Sequence, residues 1–446
     1  MKDKFVIKGG NQLKGEIEIR GAKNVAFPVL AASLLTDEDC FIDNLPLIED
    51  VFKMLKVMEG MGVKVDWLGK RRIKVNTSQV NPENIPFDII KFFRGAILLV
   101  GPLLARFGRI KFPPPGGCVI GARPIDTHLD AFEQLGIQVS GLGIEKEENG
   151  KFFYFQKKEN FIPSFYTASF IVKENKQTTR EVILKEFSVT ATENVLLFTA
   201  LSERKTILKI ADEDYQVQEL VKVLRRMGVE IKIRGGNKIE IIGKKKLEGF
   251  EYKIISDPIE TGTFIIMALA TQGEVVIKES ELNFLDLFLK RLKDFGAKFK
   301  ILDEKTIKIF PSGILKMDKI QSLPYPGIHS DLQPELGVLA TQSRGPTLIH
   351  DPLYEGRFKY LEELNKMGAK IIFCDPHRSI VYGPTKLTGI RFASPDLRAG
   401  AALITAGLVA KGETIIENIY QIDRGYEKIE ERLQQLGADI KRVEEK

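Results

Sequence analysis

The sequence predicts two similar α/β domains, each assembled from three copies of one supersecondary unit. Three observations carry this expectation. At 446 residues the chain exceeds what a single hydrophobic core supports. An amphipathic helix running into Gly recurs six times, and short strands of alternating polarity recur upstream of those helices.

The six helical stretches stop at Gly62, Gly136, Gly228, Gly296, Gly368 and Gly437. In the third, Val217, Leu220, Val221, Leu224 and Met227 follow helical spacing; in the fourth, Leu285, Phe288, Leu289, Leu292 and Phe295 do the same. The Gly after the last apolar residue stands where a helix needs a left-handed terminator. A small or β-branched residue then starts a strand. Upstream strands read as Thr206–Ile210, Glu274–Lys278, Thr347–His350 and Thr414–Asn418. Repeats fall about 70 residues apart except for one interval near 90. That longer interval holds Ser140 to Arg180, rich in Lys, Glu and Asn, which reads as a surface hairpin or excursion. The apolar stretch Ala96–Ala105 carries Gly101 and Pro102 and is bracketed by Arg94 and Arg106, so it reads as a buried helix and is too short to cross a bilayer.

Composition narrows the function. Apolar residues make up 43% and charged residues 28%, as in globular proteins. Residues 1–10 show no basic start followed by an apolar core, so a cytoplasmic protein is expected. The net charge of +6 is mild and no basic block is interleaved with aromatics, which argues against nucleic acid and favours a small anionic ligand. Cys40, Cys118 and Cys374 form no CxxC pair, so neither a disulfide framework nor a metal centre is expected.

The segment from Pro113 to Pro124 carries five prolines and glycines before Cys118, and must be a loop. Glycines flanking Cys118 would let backbone amides approach a ligand, and Arg123 adds positive field near the thiol. Cys40 and Cys374, beside apolar strands, read as buried and inert.

The run Gly-Gly-Cys-Val-Ile-Gly-Ala-Arg-Pro-Ile-Asp-Thr-His from Gly116 to His128 resembles the active-site loop of the UDP-N-acetylglucosamine 1-carboxyvinyltransferase family. Gly21-Ala22-Lys23-Asn24, Ile259-Glu260-Thr261-Gly262-Thr263 and Asp423-Arg424-Gly425-Tyr426-Glu427 resemble that family in the same order, so the likeness spans the chain. It implies the enolpyruvyl transferase fold, an inside-out α/β barrel in each of two domains, built from three βαβαββ-type repeats. Residues 1–22 with 257–446 would form one domain and 23–256 the other. It also implies an enzyme that moves the carboxyvinyl group of phosphoenolpyruvate onto the 3-hydroxyl of UDP-N-acetylglucosamine, opening peptidoglycan precursor synthesis. No cofactor, metal, membrane or obligate protein partner is implied.

The resemblance also assigns residues. Lys23, Arg94, Arg123, Arg357, Arg398 and Arg424 would bind the two anionic groups of phosphoenolpyruvate, whose geometry suits planar forks and point charges. Asp331 would accept the proton of the attacking hydroxyl, although it reads equally as a helix N-cap. Cys118 would protonate the methylene carbon or assist product release. Arg123, Pro124, Ile125, Asp126, His128, Ser188 and Val189 would hold the uridine end, Asn24 the sugar, and Asp50 and Asp396 would orient the cations. His128 reads equally as a satisfied structural histidine.

The chain departs from the family pattern at Thr190, where many members carry Gly, and at Glu186, where a Lys would meet the diphosphate. Pro258 replaces an Arg, and Asp212–Gln216 lacks a Glu-Pro-Glu. Two alternatives therefore stand beside the main reading: a 5-enolpyruvylshikimate-3-phosphate synthase-like transferase, and a weakened nucleotide-sugar-binding paralog.

Overall fold

The computed structural model describes residues 3–113, 115–117, 120–121, 125–148, 151–156, 167–172 and 179–444. It divides into two compact units. One groups the residues up to Ala22 with Ile120, Gly121 and everything from Ile255; the other holds the remainder.

In the first unit three helices, Pro258–Ala270, Gln333–Thr341 and Leu397–Val409, pack on one another with nearly every residue buried. A helix buried on all faces needs sheets around it. Three four-stranded sheets supply them, built on one plan. Lys14–Glu18 runs parallel to Glu274–Lys278, which pairs antiparallel with Thr306–Phe310, which pairs with Lys298–Asp303. Lys319–Gln321, Gly345–His350, Arg378–Gly383 and Lys370–Asp375 repeat this order, as do Arg391–Ala393, Glu413–Glu417, Lys4–Lys8 and Asp439–Val443. The first two strands of the chain thus complete two sheets of this unit, which is why the residues up to Ala22 belong to it.

The second unit places Lys23–Ser33, Val100–Phe107 and Val189–Thr199 at its centre. Two of its sheets follow the same plan, one through Thr179–Ile183, Lys205–Lys209, Lys238–Ile242 and Glu230–Arg234, the other through Glu251–Lys253, Cys40–Asp43, Ile73–Asn76 and Lys64–Trp67. The third differs. Arg109–Phe112 pairs antiparallel with Thr167–Val172, that strand with Ile137–Glu148, and that in turn with Lys151–Gln156. No parallel outer strand is present here among the described residues, and a hairpin strand is added on the opposite edge. The surface hairpin or excursion expected between Ser140 and Arg180 is therefore, where described, a hairpin that continues the sheet; the rest of it lies outside the described residues.

All six repeat glycines have positive φ, from +84° at Gly136 to +101° at Gly368, so the left-handed stop expected after each helix is present. The Ala96–Ala105 stretch is buried as expected, but only its second half is α-helix; Arg94–Leu99 is a 3-10 segment that leads into it. No helix among the described residues is long and apolar enough to cross a membrane.

Candidate active site

In the first unit the chemistry gathers at Asp331. The strand-to-helix connection makes a 3-10 turn at Ser330–Leu332, capped by His329, whose Nδ1 accepts from the Asp331 amide at 3.0 Å. Asp331 is therefore not an N-cap. Its Oδ1 accepts from Arg357 Nη2 at 2.9 Å and its Oδ2 from Arg398 Nε at 2.9 Å. Both arginines are only 3% exposed, and a charge that deep needs a partner.

Each arginine is held from behind. Arg398 lies in the first turn of Leu397–Val409, where Asp396 Oδ1 accepts from the amides of Arg398 and Ala399 at 2.9 and 3.1 Å. Arg357 Nε donates to Ser330 Oγ at 3.1 Å, which donates to Asp351 Oδ2 at 2.6 Å. Asp351 Oδ1 in turn accepts from the amides of Leu353 and Tyr354. Asp396 thus orients a cation through the backbone, whereas Asp351 and Ser330, which sequence reasoning missed, orient the other through side chains.

Burial alone would raise the Asp331 carboxyl, but Arg398, Arg357 and His329 together hold it far below the usual carboxylate range. It is ionised and a weak base while both arginines grip it. Further along, Arg398 Nη1 donates to Tyr426 Oη at 3.0 Å, and Tyr426 Oη lies 3.0 Å from Thr263 Oγ1 and 3.3 Å from Glu335 Oε1. Arg424 is buried beside this segment and donates from Nη1 to Gln421 Oε1 at 2.9 Å.

In the second unit Lys23 opens its helix and pairs with Asp50 at 2.9 Å, while Lys53 approaches the other Asp50 oxygen at 3.6 Å. Lys23 and Asp50 are both buried, and the carboxylate holds the ammonium in place. Asn24 Nδ2 donates to Tyr215 Oη at 3.3 Å. Arg94 begins the 3-10 segment Arg94–Leu99. A Cβ on Gly117, whose φ is +138°, would come within 3.1 Å of Arg94 Cβ, so this glycine admits the chain against Arg94.

His128 is buried, and its tautomer follows from its neighbours. Asn194 Oδ1 accepts from the Gly101 amide, so its Nδ2 is the donor facing both Ile97 O and His128 Nδ1. Nδ1 accepts, and Nε2 carries the hydrogen toward Thr190 Oγ1 at 3.0 Å. Burial, reinforced by Arg94, pushes its pKa down to about 3. Both ring nitrogens of His128 are thus used within the unit, and its amide donates to Ile125 O at 2.9 Å. Asp126 and Ile125 start the same helix at the surface, and Ser188 caps Val189–Thr199, accepting from the Ala191 amide at 3.3 Å. Cys118, Arg123 and Pro124 lie outside the described residues.

The departures have local reasons. Thr190 supplies the hydroxyl for His128, and Glu186 Oε1 accepts from Thr127 Oγ1 at 2.9 Å. Pro258 occupies the first position of a helix capped by Asp257, whose Oδ1 accepts from the Ile259 amide at 2.8 Å; there a missing N–H costs nothing. Glu193 was not foreseen. Its carboxyl is fully buried with neither oxygen hydrogen-bonded among the described residues, and burial, with Asp214 and Asp212 nearby, raises its pKa well above the ordinary carboxyl value. The signal was present in the sequence, a lone acid within the otherwise uncharged Val189–Thr199.

Cys40 is buried, and burial pushes its thiol up to about 12. Cys374 corrects the sequence reading, because it is exposed. It lies on the outer strand Lys370–Asp375, where the pairing shifts register between Phe373 and Asp375 and Ile372, Phe373 and Cys374 are all exposed.

A family model described as EPSP synthase (3-phosphoshikimate 1-carboxyvinyltransferase) matches residues 7–151 and 160–433. The enolpyruvyl transferase NikO from Streptomyces tendae superposes with a TM-score of 0.84 over 99% of both chains at 22% identity. An EPSP synthase from Acinetobacter baumannii gives 0.72 over 100% of both chains at 18% identity. The fold is thus that of the enolpyruvyl transferases. Among curated relatives, UDP-N-acetylglucosamine 1-carboxyvinyltransferase 2 from Carboxydothermus hydrogenoformans is 39% identical over 99% of both chains. The UDP-N-acetylglucosamine 1-carboxyvinyltransferases of Treponema denticola and Koribacter versatilis are 38% and 36% identical, covering 98% and 99% of this chain and 98% and 97% of their own. The chain belongs to the UDP-N-acetylglucosamine 1-carboxyvinyltransferase family.

Proposed function

We propose that this enzyme transfers the carboxyvinyl group of phosphoenolpyruvate to the 3-hydroxyl of UDP-N-acetylglucosamine, releasing phosphate. The observation that carries the reading is the near-complete, 39% identical match to a relative named for that reaction. In the addition step the sugar oxygen bonds to C2 of phosphoenolpyruvate while C3 gains a proton. In the elimination step the bond from C2 to the phosphate oxygen breaks and C3 loses a proton, restoring the vinyl group.

Asp331 is the base for the sugar hydroxyl. Its paired arginines make it a poor base at rest, and the same arginines suit a phosphate or carboxylate. An arriving anion competes for Arg357 and Arg398, loosens their hold on Asp331 and raises its proton affinity when the hydroxyl arrives. Lys23 and Arg424 add charge for the donor, Asn24 contacts the sugar, and Cys118 protonates C3 or assists product release. Ile125, Asp126, Ser188 and Val189 meet the nucleotide through backbone and short polar groups.

Cytoplasmic synthesis of peptidoglycan precursor, and through it support of cell shape and division, follows from the reaction, since both substrates are cytosolic metabolites. A second reading, a nucleotide-sugar-binding paralog with weak turnover, is favoured by one observation. Glu186 puts a carboxylate beside Thr127 where a cation would meet a diphosphate. Mass spectrometry of the products separates the two readings. A UDP-sugar bearing one carboxyvinyl ether per phosphate released supports the transferase, whereas binding of UDP-N-acetylglucosamine without that product supports the paralog.

A further inference from the structure

Glu335 lies in the central helix Gln333–Thr341, fully buried, and no substrate role falls to it. Its Oε1 accepts from Thr263 Oγ1 at 3.1 Å and lies 3.3 Å from Tyr426 Oη; its Oε2 is buried with no hydrogen-bond partner among the described residues. Tyr426 Oη in turn accepts from Arg398 Nη1, and Arg398 Nε donates to Asp331. One chain of hydrogen bonds therefore links a buried carboxylate to the proposed base through the arginine that restrains it. We propose that Glu335 is a positioning residue whose carboxylate, through Tyr426, draws on Arg398 and so sets how firmly Arg398 holds Asp331. The inference rests on the reading of Asp331 as base.

Counting hydrogens gives the direction. When Glu335 is ionised, the Tyr426 and Thr263 hydroxyls both point at it, so the Tyr426 oxygen is a stronger acceptor for Arg398. The arginine charge is then shared between two carboxylates and Asp331 is a better base. When Glu335 is protonated, the Thr263 hydroxyl can turn to Ile259 O at 3.0 Å and Glu335 pulls less on the Tyr426 hydroxyl, so the Tyr426 oxygen is a weaker acceptor and Arg398 turns more of its charge to Asp331. Burial pushes the Glu335 pKa up to about 7, with Arg398 and the Thr263 hydrogen bond opposing, so both states are populated near neutral pH.

The ionisable groups that act on Glu335 are Arg398, Asp331, Tyr426 and Tyr360. The strands packed on its helix, Lys319–Gln321, Gly345–His350 and Arg378–Gly383, turn Ile320, Thr347, Ile349, Ser379 and Val381 inward, none of them ionisable.

The test is the pH profile of kcat/KM for phosphoenolpyruvate in wild type, Glu335→Gln and Tyr426→Phe, each checked for a wild-type circular dichroism spectrum. Wild type is expected to rise about tenfold through an ionisation near neutrality. Glu335→Gln, which keeps the shape and the acceptor but not the charge, is expected to lack that rise and to match the low-pH limit of wild type throughout. Tyr426→Phe is expected to lack the rise while Glu335 still titrates, read by carbon-13 NMR of the glutamate carboxyls; this variant carries the test if Glu335→Gln does not fold. An unchanged ionisation in either variant overturns the proposal. Wild-type turnover in Asp331→Asn would instead remove the base assignment, and leaves the Glu335 titration in the NMR experiment unaffected.

Discussion

Two arginines hold Asp331, one on each carboxylate oxygen, and the constraint is asymmetric. Removing Arg357 or Arg398 leaves Asp331 short of a partner and substrate charge unpaired, so Arg357→Ala and Arg398→Ala should each lower kcat/KM by about 2–5 kcal/mol. Arg398→Lys should recover little, because a single ammonium cannot span Asp331 and Tyr426 as the guanidinium fork does. Steady-state kinetics decide it, and lysine rescue would show that charge alone suffices. His128 gives a residue-scale prediction of opposite kind. Its folded pKa, about 3, lies below the 6.5 of the free side chain, so protons bind the unfolded chain first as pH falls. Stability should drop from pH 6.5 toward 3, by at most about 4 kcal/mol from this group. His128→Gln should be less stable at pH 8 yet lose less on acidification, as urea titrations across that range would reveal. Arg357, Arg398, Arg424, Lys23 and Asp331 stand out in the sequence because each sits in a distinctive motif. Glu335, Asp351 and Ser330 do not, because their importance comes from what folding places behind the arginines. The only hint for Glu335 was an acid in a helix whose other residues are all apolar or neutral.

At the scale of the element, the six glycines were the clearest signal, because a helix that must turn at once into a strand has few chemical solutions. They also separate two costs. At Gly296 a Cβ would meet nothing, so Gly296→Ala should cost only the left-handed backbone, about 1–2 kcal/mol. At Gly62 the same Cβ would lie 2.6 Å from Gln79 O, so Gly62→Ala should cost distinctly more. Equal losses in denaturant midpoints would mean that the backbone strain dominates both. In the odd sheet of the second unit the expected hairpin is present, but its strands extend the sheet, for a physical reason. A polar, charged segment looks like a surface insertion, yet edge strands carry such residues as well, and pairing of Ile137–Glu148 with Thr167–Val172 is a long-range fact that local composition does not encode.

For the whole molecule, repetition carries the fold and motif order carries the family. Six similar helix-stop-strand units within one chain predicted two α/β domains before any relative was considered, and enolpyruvyl transferases superpose over essentially the full length. The family model that matches the chain is described by a shikimate acceptor, while the curated relatives are named for a nucleotide sugar, so the acceptor is the property to measure. The most direct measurement is phosphate release from phosphoenolpyruvate by the purified protein with either UDP-N-acetylglucosamine or shikimate-3-phosphate as acceptor. Release with the nucleotide sugar, absent with shikimate-3-phosphate and abolished in Asp331→Asn, is the predicted result. Release with shikimate-3-phosphate alone, or with neither acceptor, would contradict the account.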